Sequence, residues 1–162
     1  MKALYKSGPH AGYEFTERPE PECGAHDVKI RVFTTGICGT DIHILHDEHP
    51  YWPPVTLGHE FAGRVAEVGP EAKGFAVGDP VFYAGSITRP GANSEFHLVD
   101  ARIVGHKPKT LSDAEAAALP LTAITAWEML FDRLDIGRPI PGAADAILII
   151  GGAGGVGSIA IQ

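Results

Sequence analysis

The chain has little cysteine, no long apolar run and no cluster of basic residues, and each absence excludes a class of protein. Its 162 residues include only two cysteines, too few for the disulfide framework of a small secreted protein, so we expect a cytoplasmic location. No stretch of 18 apolar residues occurs, which argues against a membrane span, and the N-terminus lacks the apolar core of a secretory signal. Thirteen basic and twenty acidic side chains give a net charge of −7. Without a basic patch, nucleic acid is not an expected partner.

The composition is otherwise that of a folded domain. Hydrophobic residues make up 44% of the chain and charged residues 20%, which is typical of a globular protein with a buried core. Apolar and polar residues alternate, or a short apolar run follows a turn, in segments that predict strands: 28–32, 63–69, 79–82 and 95–99. Several short strands at this spacing predict a compact barrel or sandwich. We interpret His97 as an outward-facing strand residue and His106 as a solvated turn residue.

Helical signals begin after these strands. Ser112 and Glu115 have the spacing of a capping box, which predicts the start of a helix, and Pro120 interrupts the alanine-rich run that follows. A second helix is predicted over residues 123–134. Its apolar side chains stand at helical spacing and predict core packing: Trp127, Leu130, Phe131 and Leu134.

A glycine-rich turn follows the continuous apolar run of residues 146–150, which predicts a buried parallel strand. The turn contains a G-x-G-x-x-G pattern between a predicted strand and a predicted helix, the context in which this motif binds a dinucleotide pyrophosphate. The sequence therefore predicts an NAD- or NADP-binding loop at these residues: Gly152, Gly154, Gly155, Val156 and Gly157.

Two short stretches place a thiolate, an imidazole and a carboxylate in the chain, as Cys38, His59 and Glu60. Zinc binds all three kinds of donor, and catalytic zinc sites keep a fourth position open for water or substrate. Zinc stabilises negative charge on a bound oxygen, so an alkoxide would form near neutral pH and expel hydride. Thr40 and His43 add a hydroxyl and an imidazole suited to carrying a proton away. A lone cysteine is usually a small buried hydrophobe, so this hypothesis depends on the joint pattern.

The same stretches resemble the medium-chain dehydrogenase/reductase superfamily, which includes zinc alcohol, polyol and threonine dehydrogenases. Residues 36–43 are similar to its first zinc-ligand motif and residues 58–63 to its second. The resemblance implies a mainly β, GroES-like barrel with helices as the catalytic domain, residues 1–135. It also implies the start of a truncated α/β Rossmann domain, residues 144–162.

The resemblance also implies a role for individual side chains around one catalytic zinc ion. Cys38 and His59 would bind the metal, and Glu60 would be the third ligand, as in the polyol dehydrogenases. Thr40 would contact the substrate oxygen, and His43 would pass its proton to solvent. A further implied contact is a hydrogen bond between the Asp41 carboxylate, as acceptor, and the ring of the ligand His59.

The sequence departs from the superfamily pattern in two respects. Related enzymes often supply another ligand just before a Pro-Leu pair, but that position here is Leu119, which cannot bind metal. Glu115, one helical turn earlier, is an alternative. The structural-zinc lobe of the superfamily needs four cysteines, and this chain has only Cys23 and Cys38, so no structural zinc is expected.

The second half of the chain resembles a different branch, the quinone oxidoreductases, over residues 77–79, 91–96 and 121–127. The leading hypothesis remains a zinc-dependent oxidoreductase that transfers hydride between a small alcohol or polyol and NAD(P). The alternatives are a zinc-independent NADPH-dependent quinone or enone reductase, or a non-catalytic barrel when the chain is isolated.

The glycine motif stops within its first helix, at Gln162. The acidic residue that selects NAD over NADP is expected about 20 positions beyond the glycines. We therefore expect an N-terminal fragment of a dehydrogenase roughly twice as long, inactive by itself. Because the superfamily commonly forms dimers or tetramers, the full-length protein is compatible with a homo-oligomer.

Overall fold

The computed structural model describes residues 1–138, 141–142 and 146–162. The chain divides into two compact units, Met1–Ala118 and Leu119–Gln162. Every strand assigned within the described ranges lies in the first unit. No helix in these ranges is both long enough and apolar enough to cross a membrane.

The first unit is built on two antiparallel sheets. Its strands are, in chain order, β1 (Lys2–Lys6), β2 (Glu14–Glu17), β3 (Asp27–Thr35), β4 (Val55–Thr56), β5 (Glu60–Val68), β6 (Pro80–Ala84), β7 (Phe96–Asp100) and β8 (Gly105–His106). One sheet has the strand order β2-β1-β4 and the other the order β7-β3-β5-β6-β8. All neighbouring strands run antiparallel. This mainly β architecture confirms the predicted fold class.

The core of the larger sheet follows the alternation that predicted its strands. In β3, Val28 and Ile30 are buried, whereas Arg31, the next residue, is exposed. Phe61 and Val65 of β5 are buried in the same hydrophobic cluster. Burying a side chain of this size stabilises the fold by about 1.5–3 kcal/mol, so the pairing of β3 with β5 is the centre of the unit.

The prediction that His97 faces solvent is wrong, because its side chain is only 3% exposed. His97 Nδ1 lies 3.1 Å from the carbonyl oxygen of Gly91. A carbonyl oxygen can only accept a hydrogen bond, so Nδ1 carries the ring proton and is the donor. Nε2 then accepts a hydrogen bond from the Tyr83 hydroxyl at 2.9 Å. Alternation identifies two faces of a strand but not which one is inside. His106 is exposed, as predicted.

Short helical elements lie between the strands of the first unit or after them: α1 (Gly39–Leu45) between β3 and β4, a 3₁₀ turn (Ala101–Ile103) between β7 and β8, and α2 (Asp113–Ala117) after β8. The capping box at the start of α2 is confirmed. Ser112 Oγ accepts from the backbone N–H of Glu115 at 3.2 Å, and Glu115 Oε2 accepts from the backbone N–H of Ser112 at 2.8 Å. The Glu115 carboxylate, an alternative metal ligand in the sequence, is thus engaged in the capping box of α2.

The second unit is helical in its described residues, with α3 (Pro120–Trp127), a π-helical turn (Glu128–Arg133) and α4 (Gly155–Ala160). Pro120 is the first residue of α3, a position where the missing N–H removes no helical hydrogen bond. The predicted helix over residues 123–134 therefore begins earlier and changes to π-helical geometry before its end.

The apolar stripe on this helix is mostly exposed. Leu130 is buried, but Trp127, Phe131 and Leu134 are 62%, 44% and 58% exposed. The rings of Trp127 and Phe131 pack on each other, with centroids 4.5 Å apart. The prediction of core packing is correct for Leu130 and wrong for the other three, because no other element in the described part of the unit covers them.

The predicted buried strand at residues 146–150 is also wrong. These residues have no strand assignment, and Leu148 and Ile150 are 87% and 90% exposed. A strand needs a hydrogen-bonded neighbour, and the described part of this unit provides none. The predicted domain limits at residues 135 and 144 stay a prediction, and residue 144 lies outside the described residues.

Candidate metal centre

The pairing of β3 with β5 brings the two metal-motif stretches together. Thr35, the last residue of β3, lies opposite Phe61 of β5. The chain that leaves β3 therefore passes the start of β5, where the Gly36 backbone N–H donates to the Glu60 carbonyl at 2.7 Å. Cys38 then precedes α1 as its N-cap residue. Residues that are 21 positions apart in sequence thus meet at one edge of the sheet.

Three donor side chains converge at this edge. One ligand atom from each of Cys38, His59 and Glu60 lies within 4.8 Å of the other two. His59 is 5% exposed, and Cys38 and Glu60 are half-buried. Thiolate, imidazole and carboxylate donors are the set that zinc accepts. The structure therefore brings together all three residues that the sequence predicts as ligands.

Two orphaned polar atoms beside this cluster fit a bound cation. Asp41 Oδ1 and His59 Nδ1 are both buried without a hydrogen-bond partner in the described structure, and they lie 3.7 Å apart. That separation is too long for the hydrogen bond that the superfamily resemblance implies. The other Asp41 oxygen, Oδ2, accepts from the Cys38 backbone N–H at 2.9 Å. Coordination through one ring nitrogen fixes a proton on the other and aims it at such a carboxylate, so a metal ion on His59 would favour closing this gap and pairing the two atoms.

The two predicted proton carriers lie on α1. Thr40 Oγ1 is 3.8 Å from Cys38 Sγ, which places the hydroxyl beside the donor cluster. His43 is exposed, and its Nδ1 lies 3.3 Å from Glu48 Oε2. Residues three apart share a helix face, so Thr40 and His43 lie on one side of α1. Thr40 is next to the donor cluster and His43 is at the surface.

A buried lysine that sequence reasoning missed holds the far end of α1. Lys6 is fully buried, and its Nζ donates to the carbonyl of Ile44 at 2.7 Å and to that of His10. A cation at a helix C-terminus interacts favourably with the helix dipole. Nothing in the alternation of β1 marks Lys6 as buried, because lysine at a strand end usually reaches solvent.

A tyrosine fixes the middle of the same helix. The Tyr13 hydroxyl donates to the carbonyl of Asp41, and burial raises the pKa of Tyr13 to about 12, with the Asp41 charge as the second cause. The hydroxyl therefore stays protonated and remains a donor at any physiological pH. Together with Lys6, it sets the position of the helix that carries Thr40 and His43.

The predicted cofactor-binding residues form one loop–helix junction in the second unit. Gly154 is the N-cap of α4, which begins at Gly155. A Cβ on Gly157 would lie 2.4 Å from the Gly151 carbonyl oxygen, so only glycine permits this close backbone approach. Val156 and Gly157 line a cavity of about 330 Å³ with Gly154. Small residues and helix-start N–H groups suit a phosphate, and the nucleotide role stays a prediction.

The chain is similar to known proteins in both its sequence and its fold. The family profile of the alcohol dehydrogenase GroES-like domain matches residues 24–109. A zinc-type alcohol dehydrogenase-like protein of Staphylococcus aureus is 41% identical over 146 residues, which cover 90% of this chain and 43% of the relative.

Solved structures agree with the sequence comparison. A protein of Rhizobium etli, named as a zinc-dependent alcohol dehydrogenase, has a TM-score of 0.90 and 52% identity over 99% of this chain and 48% of its own. A quinone oxidoreductase of Pseudomonas syringae has a TM-score of 0.78 and 30% identity over 99% of this chain and 48% of its own. The chain therefore spans about half the length of the proteins that it matches.

Proposed function

This chain belongs to the alcohol dehydrogenase family with a GroES-like domain, within the medium-chain dehydrogenase/reductase superfamily, and from this premise we propose a specific activity for the whole protein. It is a zinc-dependent oxidoreductase that transfers hydride between an alcohol or polyol and NAD or NADP. The observation that carries the proposal is the convergence of Cys38, His59 and Glu60 donor atoms within 4.8 Å.

Some side chains at this site would bind the metal, and others would transfer the proton. The chemistry that zinc supplies, when bound by Cys38, His59 and Glu60, is Lewis-acid polarisation of an alcohol or carbonyl oxygen. Oxidation of an alcohol then breaks its C–H bond, with hydride leaving to the nicotinamide, and its O–H bond, with the proton leaving separately. Thr40, beside Cys38 Sγ, accepts this proton as its own hydroxyl proton is passed on, and the exposed imidazole of His43 delivers a proton to solvent.

A second activity has a specific observation in its favour. The likeness to a quinone oxidoreductase extends over 99% of the chain, and the position of the additional ligand in related enzymes is the apolar Leu119. A quinone or enone reductase would use NADPH and would need no zinc. In that protein the Cys38 thiol and the His59 ring would be packing groups.

Zinc analysis of the full-length protein separates the two activities. We expect close to one zinc per chain, and loss of both zinc and alcohol oxidation in Cys38→Ser. Cys23→Ser is the matched control, because the Cys23 thiol donates to the backbone carbonyl of Asp27, at the opposite end of β3 from the donor cluster. A metal-free preparation with full activity, or quinone-dependent NADPH oxidation that a chelator leaves unchanged, would contradict the zinc-dependent proposal.

A further inference from the structure

The segment that carries His59 is held by a neighbouring loop. Residues 91–93 donate three backbone hydrogen bonds to the carbonyls of residues 56–58, at 2.7, 2.8 and 3.0 Å. This short ladder ends directly before His59. The loop therefore sets where the chain enters the metal cluster.

The last residue of this loop also contacts the other ligand-bearing segment. Asn93 Oδ1 accepts a hydrogen bond from Thr35 Oγ1 at 2.6 Å. Thr35 ends β3, three residues before Cys38. The backbone of Asn93 is fixed at both ends, because its N–H donates to Leu57 at 2.8 Å and its carbonyl accepts from Leu4 at 2.7 Å. The amide side chain is consequently attached to a backbone that hydrogen bonds hold in place.

The Asn93 side chain packs directly on the residue that precedes His59. Gly58 has a φ of +103°, and a Cβ on it would lie 2.4 Å from Asn93 Oδ1 and 2.6 Å from Asn93 N. The contact exists only because Gly58 has no side chain and tolerates a positive φ. One amide group thus touches Gly58 on one side and Thr35 on the other.

From these contacts we propose that Asn93 is a positioning residue that fixes the spacing between Cys38 and His59. The proposal rests on the proposed function, since it concerns how the chain presents these two side chains to zinc. Partners that orient metal ligands typically change metal affinity by about 10- to 100-fold when they are removed. Because Thr35 is exposed, its hydroxyl can bond to water once Asn93 is lost, so the fold keeps its stability while the ligand spacing relaxes.

The test measures zinc affinity of the full-length protein by competition with a chelator, and the absorption spectrum of the Co²⁺-substituted protein. We expect Asn93→Ala and Thr35→Val each to weaken zinc binding by about 10-fold and to alter the Co²⁺ spectrum. The double variant should bind no more weakly than the weaker single one, because both changes remove the same contact. Thr35→Ser keeps the hydroxyl and should bind as wild type does.

The neighbouring Ser94→Ala is the matched control, since Ser94 Oγ donates to the Phe96 carbonyl instead, and it should leave zinc affinity unchanged. Wild-type affinity and an unaltered Co²⁺ spectrum in Asn93→Ala would overturn this inference while leaving the zinc proposal intact. Failure of the wild type itself to bind zinc would overturn the proposed function. If Asn93→Ala does not fold, as circular dichroism would show, Thr35→Val decides the question.

Discussion

Acid should destabilise the first unit through one buried histidine. His97 is 3% exposed, and burial lowers its pKa from 6.5 to about 4, although the bond to Gly91 opposes the shift. The ring is therefore neutral in the folded protein, with its proton on Nδ1 and Nε2 accepting from Tyr83. In the unfolded chain the same ring titrates at its ordinary pKa.

The sign and size of the effect follow from these two pKa values. Between pH 6.5 and 4, the unfolded chain binds a proton that the folded protein excludes, so the free energy of unfolding falls as the pH falls. The contribution of His97 is fully present above pH 6.5 and is lost as the pH approaches 4. A difference of about 2.5 between the pKa values corresponds to about 3 kcal/mol.

Urea unfolding followed by circular dichroism between pH 7.5 and 4.5 measures this contribution. We expect His97→Gln, which cannot titrate, to have a flatter pH dependence than the wild type, with most of the 3 kcal/mol difference developed by pH 4.5. The exposed His106→Gln is the control and should follow the wild-type curve. Parallel curves for wild type and His97→Gln would refute the reasoning that burial keeps this ring neutral.

Three further substitutions test a proposed metal ligand, a buried lysine and a helix cap. In Gly36→Ala the new Cβ would lie 2.5 Å from Glu60 Oε2, so the carboxylate must move. Zinc affinity measured by equilibrium dialysis should then fall by about 10-fold, and unchanged affinity would count against Glu60 as a ligand. Lys6→Met removes the charged hydrogen bonds from the buried ammonium to the carbonyls of Ile44 and His10 and should lower the free energy of unfolding by about 2 kcal/mol at pH 7 in a denaturant titration. Ser112→Ala removes the N-cap of α2 and should cost about 1 kcal/mol in the same measurement, whereas no change would mean that α2 frays in solution.

Local signals in the sequence predicted local structure well. The capping box at Ser112 depends on residues three apart, and it forms as predicted. The alternation that predicted β3 holds because Val28 and Ile30 fill the core while Arg31 stays exposed. The donor cluster was predictable because each ligand motif is short, although the sequence alone did not show that β3 and β5 would bring the motifs together.

Features that depend on distant partners were not predictable. The burial of His97 requires Tyr83 and the Gly91 carbonyl, which supply both hydrogen bonds to the ring. The position of Lys6 depends likewise on Ile44, 38 residues away. The apolar run at residues 146–150 has the composition of a strand, but the described part of its unit contains no neighbouring strand, so its backbone has no ladder to join.

The central claim is that one thiolate, one imidazole and one carboxylate of this chain hold a single zinc ion. X-ray absorption at the zinc edge of the full-length protein tests it most directly. The account predicts one sulfur neighbour at about 2.3 Å together with nitrogen or oxygen neighbours at about 2.0–2.2 Å. It also predicts that Cys38→Ser loses its zinc and, with the metal, the sulfur signal. A zinc ion surrounded only by nitrogen and oxygen, or a sulfur signal that survives in Cys38→Ser, would contradict it.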